Sequence, residues 1–375
     1  MSAAHNEEVY VRVSARTDVG MIRRGNEDCF LVADLSTGKS GLTPEVSNHR
    51  VGEQGSLLVV SDGMGGAVAG EIASDLSVNG VREEMIRATH LSDVSRRLQH
   101  AVEVTNRLVW QHAQENPHLS GMGATLTAVL CYGSKAFVAQ VGDSRAYLVR
   151  QGRIKQLTKD QSLVQLLMDA KAIKPEQANQ VPNNVILQAL GTRPEVVVAL
   201  TSVDLCVGDS MLLCSDGLSN KVSSDDMRDI ISRAGTDLGL ACRQLIELAN
   251  ARGGEDNITT LIAHFDGTSL QSASEKSSIT GSLIELTAND LLRIGGAQLD
   301  FYQDSASDYA APMPNVEHVL DDMGVTLMAT QPGSSSGEPV HPITHVAIPI
   351  VREPAQAPPA PPVAPVVAAP PPPPV

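Results

Sequence analysis

The chain alternates between short apolar runs and longer stretches in which apolar side chains recur every three or four positions. Runs at Val9–Ala15, Ser56–Ser61, Thr125–Tyr132, Lys135–Val141, Arg145–Arg150, Val196–Val203, Ser210–Cys214 and Asn257–His264 have the length of β-strands, and most have Gly, Asp or Asn at their boundaries. Ala67–Arg87, Ser92–Asn116, Asp225–Arg233 and Leu238–Arg252 read as helices. The second shows the spacing in Val102, Leu108, Val109 and Ala113. Gly133-Ser134 and Gly142-Asp143-Ser144 separate neighbouring strands and predict two antiparallel hairpins. Runs of strands, then helices, then strands predict antiparallel sheets covered by helices rather than a βαβ repeat. Ser36–Gly55, rich in Gly, Ser and Thr, reads as an inserted surface hairpin loop.

Proline and charge set the domain limits. Of 22 prolines, 17 follow residue 267. Residues 1–267 hold 25 cations and 32 acids, a net −7, and residues 268–375 hold 3 cations and 11 acids, a net −8. These shifts predict an N-terminal extension at 1–8, a folded domain at 9–267, an acidic linker at 268–330 and a proline-rich disordered or polyproline II tail at 331–375. Within the linker, Ser282–Arg293 is patterned as an amphipathic helix, and His318–Met328 is the other periodic stretch. PxxP spacings at Pro358–Pro361 and Pro362–Pro365 would suit a partner's aromatic groove, against the plainer reading of a flexible extension.

The rest of the composition excludes several classes. A net charge of −15 argues against a nucleic-acid binder, which needs a basic surface. No run of 18 apolar residues predicts a membrane span, and the first residues lack the apolar core of a signal peptide. The five cysteines are scattered and never form a CxxC pair, which predicts a reducing, cytoplasmic setting without disulfides or a zinc ribbon. Aromatic residues make up 3%, so the core is expected to be aliphatic.

The acids matter more for where they stand than for their number. Asp62 follows an apolar strand in SDGMGG, Asp216 follows another in SDGLS, and Asp256 precedes a third in GEDNIT. Asp143 sits in the turn VGDSR, and Glu27 and Asp28 sit in RRGNEDCF. A carboxylate at a strand end is held stiffly, and a following glycine lets the backbone turn and expose its carbonyl. Several such ends brought together would make an all-oxygen site for Mg²⁺ or Mn²⁺. Two ions about 3.5–4 Å apart would activate water and polarise a phosphoryl group. Taken singly, each Asp-Gly is an ordinary turn. A dinucleotide loop at GMGGAVAG fails because Val68 stands where a third glycine is required, and no P-loop motif exists.

Eight segments carry a family resemblance in order: TDVGMIRRGNED (17–28), VVSDGMGG (59–66), GMGATL (121–126), VGDSRAYL (141–148), LTKDQSL (157–163), LQALG (187–191), LLCSDGLS (212–219) and GEDNIT (254–259). Residues 9–267 resemble the bacterial form of the PP2C-like (PPM) metal-dependent serine/threonine protein phosphatases. The resemblance implies an α+β fold, a four-layer β-sandwich of two antiparallel sheets flanked by helix pairs. It implies two Mn²⁺ or Mg²⁺ ions, with a third in bacterial members, and direct attack of a metal-activated water. Asp62 would bridge the ions, and the Gly63 carbonyl would bind the second. Asp216 and Asp256 would hold the first, Glu27 and Asp28 would face the second, and Asp143 with Asp216 would hold the third. Arg23 matches the phosphate-binding arginine, and Asn257 would orient a ligand. The implied substrates are phosphoserine and phosphothreonine proteins, including kinases and their targets, and the expected state is a monomer. A catalytically silent binding module and a small-molecule phosphatase are the alternatives. The chain departs from the family at three places: Met64 replaces the histidine of animal members, Gln161 replaces the usual histidine of TxDHS, and Leu187 replaces a common threonine. The last two fall within Asp160–Gly191, which matches the mobile flap of the family.

Overall fold

The computed structural model describes residues 8–181, 185–273, 281–284, 298–301 and 326–329. The N-terminal seven residues and the proline-rich segment 331–375, with its PxxP spacings, lie outside the described residues.

Two antiparallel sheets carry the fold. In spatial order, one contains Arg153–Gln156, Arg145–Arg150, Ser210–Cys214, Ile258–Asp266, Tyr10–Asp18 and Asn48–Arg50. The other contains Gly281–Ile284, Ala199–Asp204, Lys135–Val141, Leu126–Tyr132, Ser56–Met64, Asp28–Asp34 and Lys39–Ser40, with Gly123–Ala124 pairing beside Ser56–Met64. Strand pleating sends alternate side chains to opposite faces. Thus Leu58 and Val60 enter the interior between the sheets with Val13, Val32, Leu213 and Phe265. Their neighbours Leu57 and Val59 face the other way, onto Val78, Met85, Leu98 and Val102 of helices Ala67–Arg87 and Val94–Glu115. On the opposite side, Leu212 and Ile262 pack on Met227, Ile231, Leu245 and Ile246 of helices Ser224–Ala234 and Leu238–Ala251. The result is helix pair, sheet, sheet, helix pair, as the resemblance implies.

Several sequence expectations shift. Lys135–Val141 and Arg145–Arg150 do not form a hairpin. Lys135–Val141 pairs with Leu126–Tyr132, whereas Arg145–Arg150 pairs with Ser210–Cys214 in the other sheet. Gly142 makes the crossing possible with φ of +95°, a backbone region that disfavours a side chain. The inserted loop is not wholly a surface feature. Its residues Asn48–Arg50 add an edge strand beside Tyr10–Asp18, and Val46 and His49 are buried. The His49 ring lies 2.6 Å from both the Val46 carbonyl and the Ser56 hydroxyl. Asp28–Asp34 is a strand that its mixed pattern concealed.

Strand pairing also continues beyond residue 267. Gln271–Ser272 pairs with Cys206–Val207, and Gly281–Ile284 pairs with Leu200–Val203. The amphipathic helix expected at Ser282–Arg293 therefore begins as an edge strand, because the border of Ala199–Asp204 offers free backbone groups. Residues 285–293 lie outside the described residues. Gln298–Phe301 and Thr326–Ala329 form a separate parallel pair.

The end of the sandwich away from the acidic strand ends is closed by a buried ion pair. Arg150 Nε and Nη2 donate to the two oxygens of Asp209 at 2.8 and 2.6 Å, and the Cys206 amide donates to Asp209 Oδ2 at 2.8 Å. Asp209 is fully buried and Arg150 is 5% exposed. Removing one partner leaves the other charge stranded. Asp209→Ala is expected to cost about 3–5 kcal/mol of stability in urea unfolding. A loss below about 1 kcal/mol would show that the pair is solvated and dispensable.

Candidate metal centre

Sheet register decides which acids meet. Asp28 opens its strand directly opposite Asp62 on the neighbouring strand. In the other sheet, Cys214 pairs with Thr260 on one side and Arg145 on the other. That register puts Asp216, just past one strand, at the same end as Asp256, just before another. Asp143 lies in the crossing turn between the sheets at this end. Thus strand ends of both sheets deliver Asp28, Asp62, Asp143, Asp216 and Asp256 to one region, with Glu27 beside them.

Each acid has local support. The Asp62 amide donates to Thr125 Oγ1 at 3.1 Å, and the Thr125 amide donates to the Asp62 carbonyl at 2.8 Å. Thr125 and Ser144 share a hydroxyl hydrogen bond of 2.7 Å, which ties the Asp62 strand to the Asp143 turn. Ser215 Oγ donates to Asp28 Oδ2 at 2.7 Å, and Asn220 Nδ2 donates to Asp216 Oδ2 at 3.0 Å. Gly63 is obligatory, because a Cβ there would overlap the Gly70 carbonyl and crowd the Glu27 carbonyl.

Asn257 clamps the neighbouring loop. Its Oδ1 accepts from the Glu27 amide at 2.8 Å, and its Nδ2 donates to the carbonyls of Val19 and Gly25, each at 2.9 Å. Its own amide donates to Asp256 Oδ1 at 2.7 Å. Asn257 thus ties the backbone of residues 19–27 to the strand that follows Asp256. Arg23 does not stand alone in the pocket. Its Nη2 lies 3.1 Å from Asp256 Oδ2, and Nη1 lies 3.9 Å from Glu27 Oε1.

The electrostatics are those of crowded carboxylates. Burial first, then Asp256 and Asp216, push Asp28 up to about 7 despite hydrogen bonds from Thr259 and Ser215. Burial and Asp256 push Asp216 up to about 6, while a hydrogen bond from Asp62 opposes the shift. Asp62 is raised well above the ordinary carboxylate range by burial and by Asp28, Asp216, Asp256 and Asp143. Asp143 is raised by burial, Asp216 and Asp160, against the pull of Arg145. Burial raises Glu27 too, and Arg23 opposes it. Asp62 and Asp216 are part-exposed, so protein packs around them while the pocket stays open to solvent.

Two buried oxygens, Asp28 Oδ1 and Asp216 Oδ1, lack a hydrogen-bond partner. Such orphaned acceptors among repelling acids fit a hard divalent cation, which takes oxygen ligands and supplies the missing positive charge. Among the described residues, no three His, Cys, Asp or Glu side chains are assembled as a finished ligand shell. A cation of the Mg²⁺ type retains several waters and needs only one or two carboxylates, so the spread arrangement remains suitable. Beside Asp143 and Asp216 opens a cavity of about 350 Å³, walled on its far side by Val164, Gln165 and Met168 of the flap helix Leu163–Asp169.

All site residues expected from sequence except Arg23 and Glu27 fall into the acid cluster itself, and those two border it. Sequence reasoning assigned no role to Ser215, Thr125 or Asn220. Their signal was present, since Ser215 precedes Asp216 in SDGLS and Thr125 lies within GMGATL, but a lone hydroxyl or amide is too common to single out.

A helix-covered sandwich with an all-oxygen pocket at one sheet end defines a class of metal-binding α+β folds. The protein phosphatase 2C family matches residues 46–238, and this chain belongs to that family. It is 34% identical over 259 residues to the serine/threonine protein phosphatase PstP of Mycobacterium tuberculosis, a match that covers 68% of this chain and 45% of PstP. It is 35% identical over 255 residues to the serine/threonine phosphatase Stp of Listeria monocytogenes, covering 67% of this chain and 94% of Stp. The crystal structure of the PstP catalytic domain in complex with two manganese ions is 34% identical, with a TM-score of 0.57, and covers 69% of this chain and 99% of that one.

The raised carboxyls set a pH dependence for the metal-free chain. Protons bind Asp28 and Asp216 more tightly in the folded state than at the ordinary value of 3.8. The folded state therefore carries more protons, and stability falls as pH rises through about 6 and 7. Chelator-treated protein is expected to lose melting temperature between about pH 5 and pH 8, and Asp28→Asn to flatten that loss. Thermal scans across this range check it, and a wild-type melting temperature that climbs with pH would contradict it.

Proposed function

We propose that this chain is a divalent-metal-dependent protein phosphatase that hydrolyses phosphoserine and phosphothreonine with water as the nucleophile. The observation that carries this reading is the meeting of five aspartates from both sheets, two with bare buried oxygens, beside a guanidinium. The names of the family and of its phosphatase relatives support the reaction class, and the manganese ions of PstP support Mn²⁺ or Mg²⁺ as cofactor.

Asp62 lies among the other acids and would hold metal together with the Gly63 carbonyl. Asp216 and Asp256 would hold one ion, Glu27 and Asp28 would face the other, and Asp143 with Asp216 would take a third. Two bound ions supply a lowered water pKa and polarise the phosphoryl group. Arg23 presents a planar donor fork to the non-bridging phosphate oxygens. Its present partner, Asp256, keeps it aimed at the pocket until a phosphate competes for it. Asn257 holds the Glu27 and Asp256 segments in register. Met64 has no proton to give the departing alkoxide, so it does not serve as the general acid.

The natural substrates on this reading are products of serine/threonine kinases, the kinases included, and the setting is cytoplasmic. The five free cysteines, four of them buried, suit a reducing compartment. Among the described residues no helix is long and apolar enough to cross a membrane.

Turnover of p-nitrophenyl phosphate and of a phosphothreonine peptide with Mn²⁺ tests the proposal, and chelation should abolish both. Asp62→Asn is expected to lower kcat by about 10³-fold or more, the scale of losing a preorganised electrostatic element. Arg23→Ala should lower kcat/KM by about 10- to 100-fold, and Arg23→Lys should restore little, because a point charge lacks the fork. Unchanged turnover in Asp62→Asn would overturn the reading.

A further inference from the structure

Three glutamine side chains, Gln140, Gln161 and Gln188, are buried behind the acid cluster, at 1%, 3% and 6% exposure. Gln161 opens the flap and Gln188 stands near its close. Gln161 Oε1 accepts from the Gly142 amide at 2.7 Å and from Gln188 Nε2 at 2.9 Å. The Gln161 backbone reaches both sides as well. Its amide donates to the Gly142 carbonyl at 3.0 Å, and its carbonyl accepts from the Leu187 amide at 2.7 Å. Gln188 continues to Val197, donating to its carbonyl at 2.7 Å and accepting from its amide at 3.2 Å. Gln140 Nε2 donates to the carbonyls of Gly142 and Ser144 at 3.1 and 3.2 Å.

These contacts join three segments that are far apart in sequence at the turn presenting Asp143. Main-chain pairing alone, as between Ser162 and Ile186, would hold the two flap roots together. The side-chain amides add a direct link from those roots to Gly142. The neighbouring cavity has Asp143 and Asp216 on one side and Ser162, Val164 and Met168 on the other, so a polypeptide bound there touches flap and acid together.

We infer that Gln161 and Gln188 are positioning residues that fasten both roots of the flap to the Asp143 turn, so that peptide binding at the flap and placement of Asp143 are one event. The inference rests on the phosphatase reading for its kinetic consequence and on the fold alone for its mechanical one. Its particular chemistry belongs to this chain, where an amide side chain with a two-bond acceptor replaces the usual histidine.

The test uses the full chain and the variants Gln161→Ala, Gln188→Ala and the double variant. The first readout is hydrogen exchange at the Gly142 amide. That amide bonds Gln161, not Gln188, yet it should exchange about tenfold faster in Gln188→Ala if the roots act together. The second is kinetics on a phosphothreonine peptide with Mn²⁺. KM should rise about three- to tenfold in each single variant, the scale of one net hydrogen bond, with kcat within about twofold. The double variant should be no worse than the poorer single variant, because the residues act as a unit. Unchanged Gly142 exchange in Gln188→Ala overturns the inference, as does a loss confined to kcat or to melting temperature. If Gln161→Ala does not fold, Gln188→Ala decides alone. Absence of wild-type turnover on p-nitrophenyl phosphate removes the phosphatase reading instead, and the exchange result still stands.

Discussion

The repulsion among five aspartates gathered at one end of the sandwich is the constraint to which the rest of this molecule answers. No single element creates it. The register that sets Asp28 opposite Asp62 and the one that aligns Cys214 with Thr260 and Arg145 end both sheets together. Each register is fixed by pleating, since a slip of one residue would turn Leu58 and Val60 out of the interior. The hydrophobic interior thus holds like charges where they would not stay by themselves. Burial of this kind is tolerated only with compensation. Here it comes from hydrogen bonds of Ser215, Asn220 and Asn257 and from Arg23 against Asp256. Divalent cations would add to it.

Much of this arrangement was legible in the sequence. Apolar runs such as Lys135–Val141, Arg145–Arg150 and Ser210–Cys214 gave their strand bounds directly, because most of their side chains are buried on both faces. Asp62 and Asp216 were visible because Ser-Asp-Gly repeats after such runs. Asp28–Asp34 was not visible, because acids stand at both its ends. Pairing across sheets was also beyond local pattern. Gly142-Asp143-Ser144 has the composition of a hairpin turn, yet the strands it joins pair in different sheets. The motifs located the site residues; long-range register determined how they meet.

The edge strands show a second limit. Composition marks residue 267 as the point where proline and acid begin to dominate. Pairing follows another rule, because an exposed strand border recruits any extended segment within reach. Gln271–Ser272 and Gly281–Ile284 answer that demand at Cys206–Val207 and Ala199–Asp204. Ala199–Asp204 also follows the flap, so the C-terminal segment is paired to the strand on which the flap ends.

Rigidity and mobility are divided along the same axis. Far from the pocket, Arg150 and Asp209 make a buried bidentate pair within apolar surroundings, and nothing there needs to move. At the pocket the fixed parts are backbone and amide: Gly63 packed against Gly70, and Asn257 gripping three peptide groups. The charged tips are less constrained, since Asp28 Oδ1 and Asp216 Oδ1 have no protein partner and Arg23 holds an acid that a phosphate can displace. A site that must exchange protons for metal and carboxylate for phosphate needs a stiff frame and loosely satisfied tips. The strand ends supply the first, and the crowding of acids ensures the second.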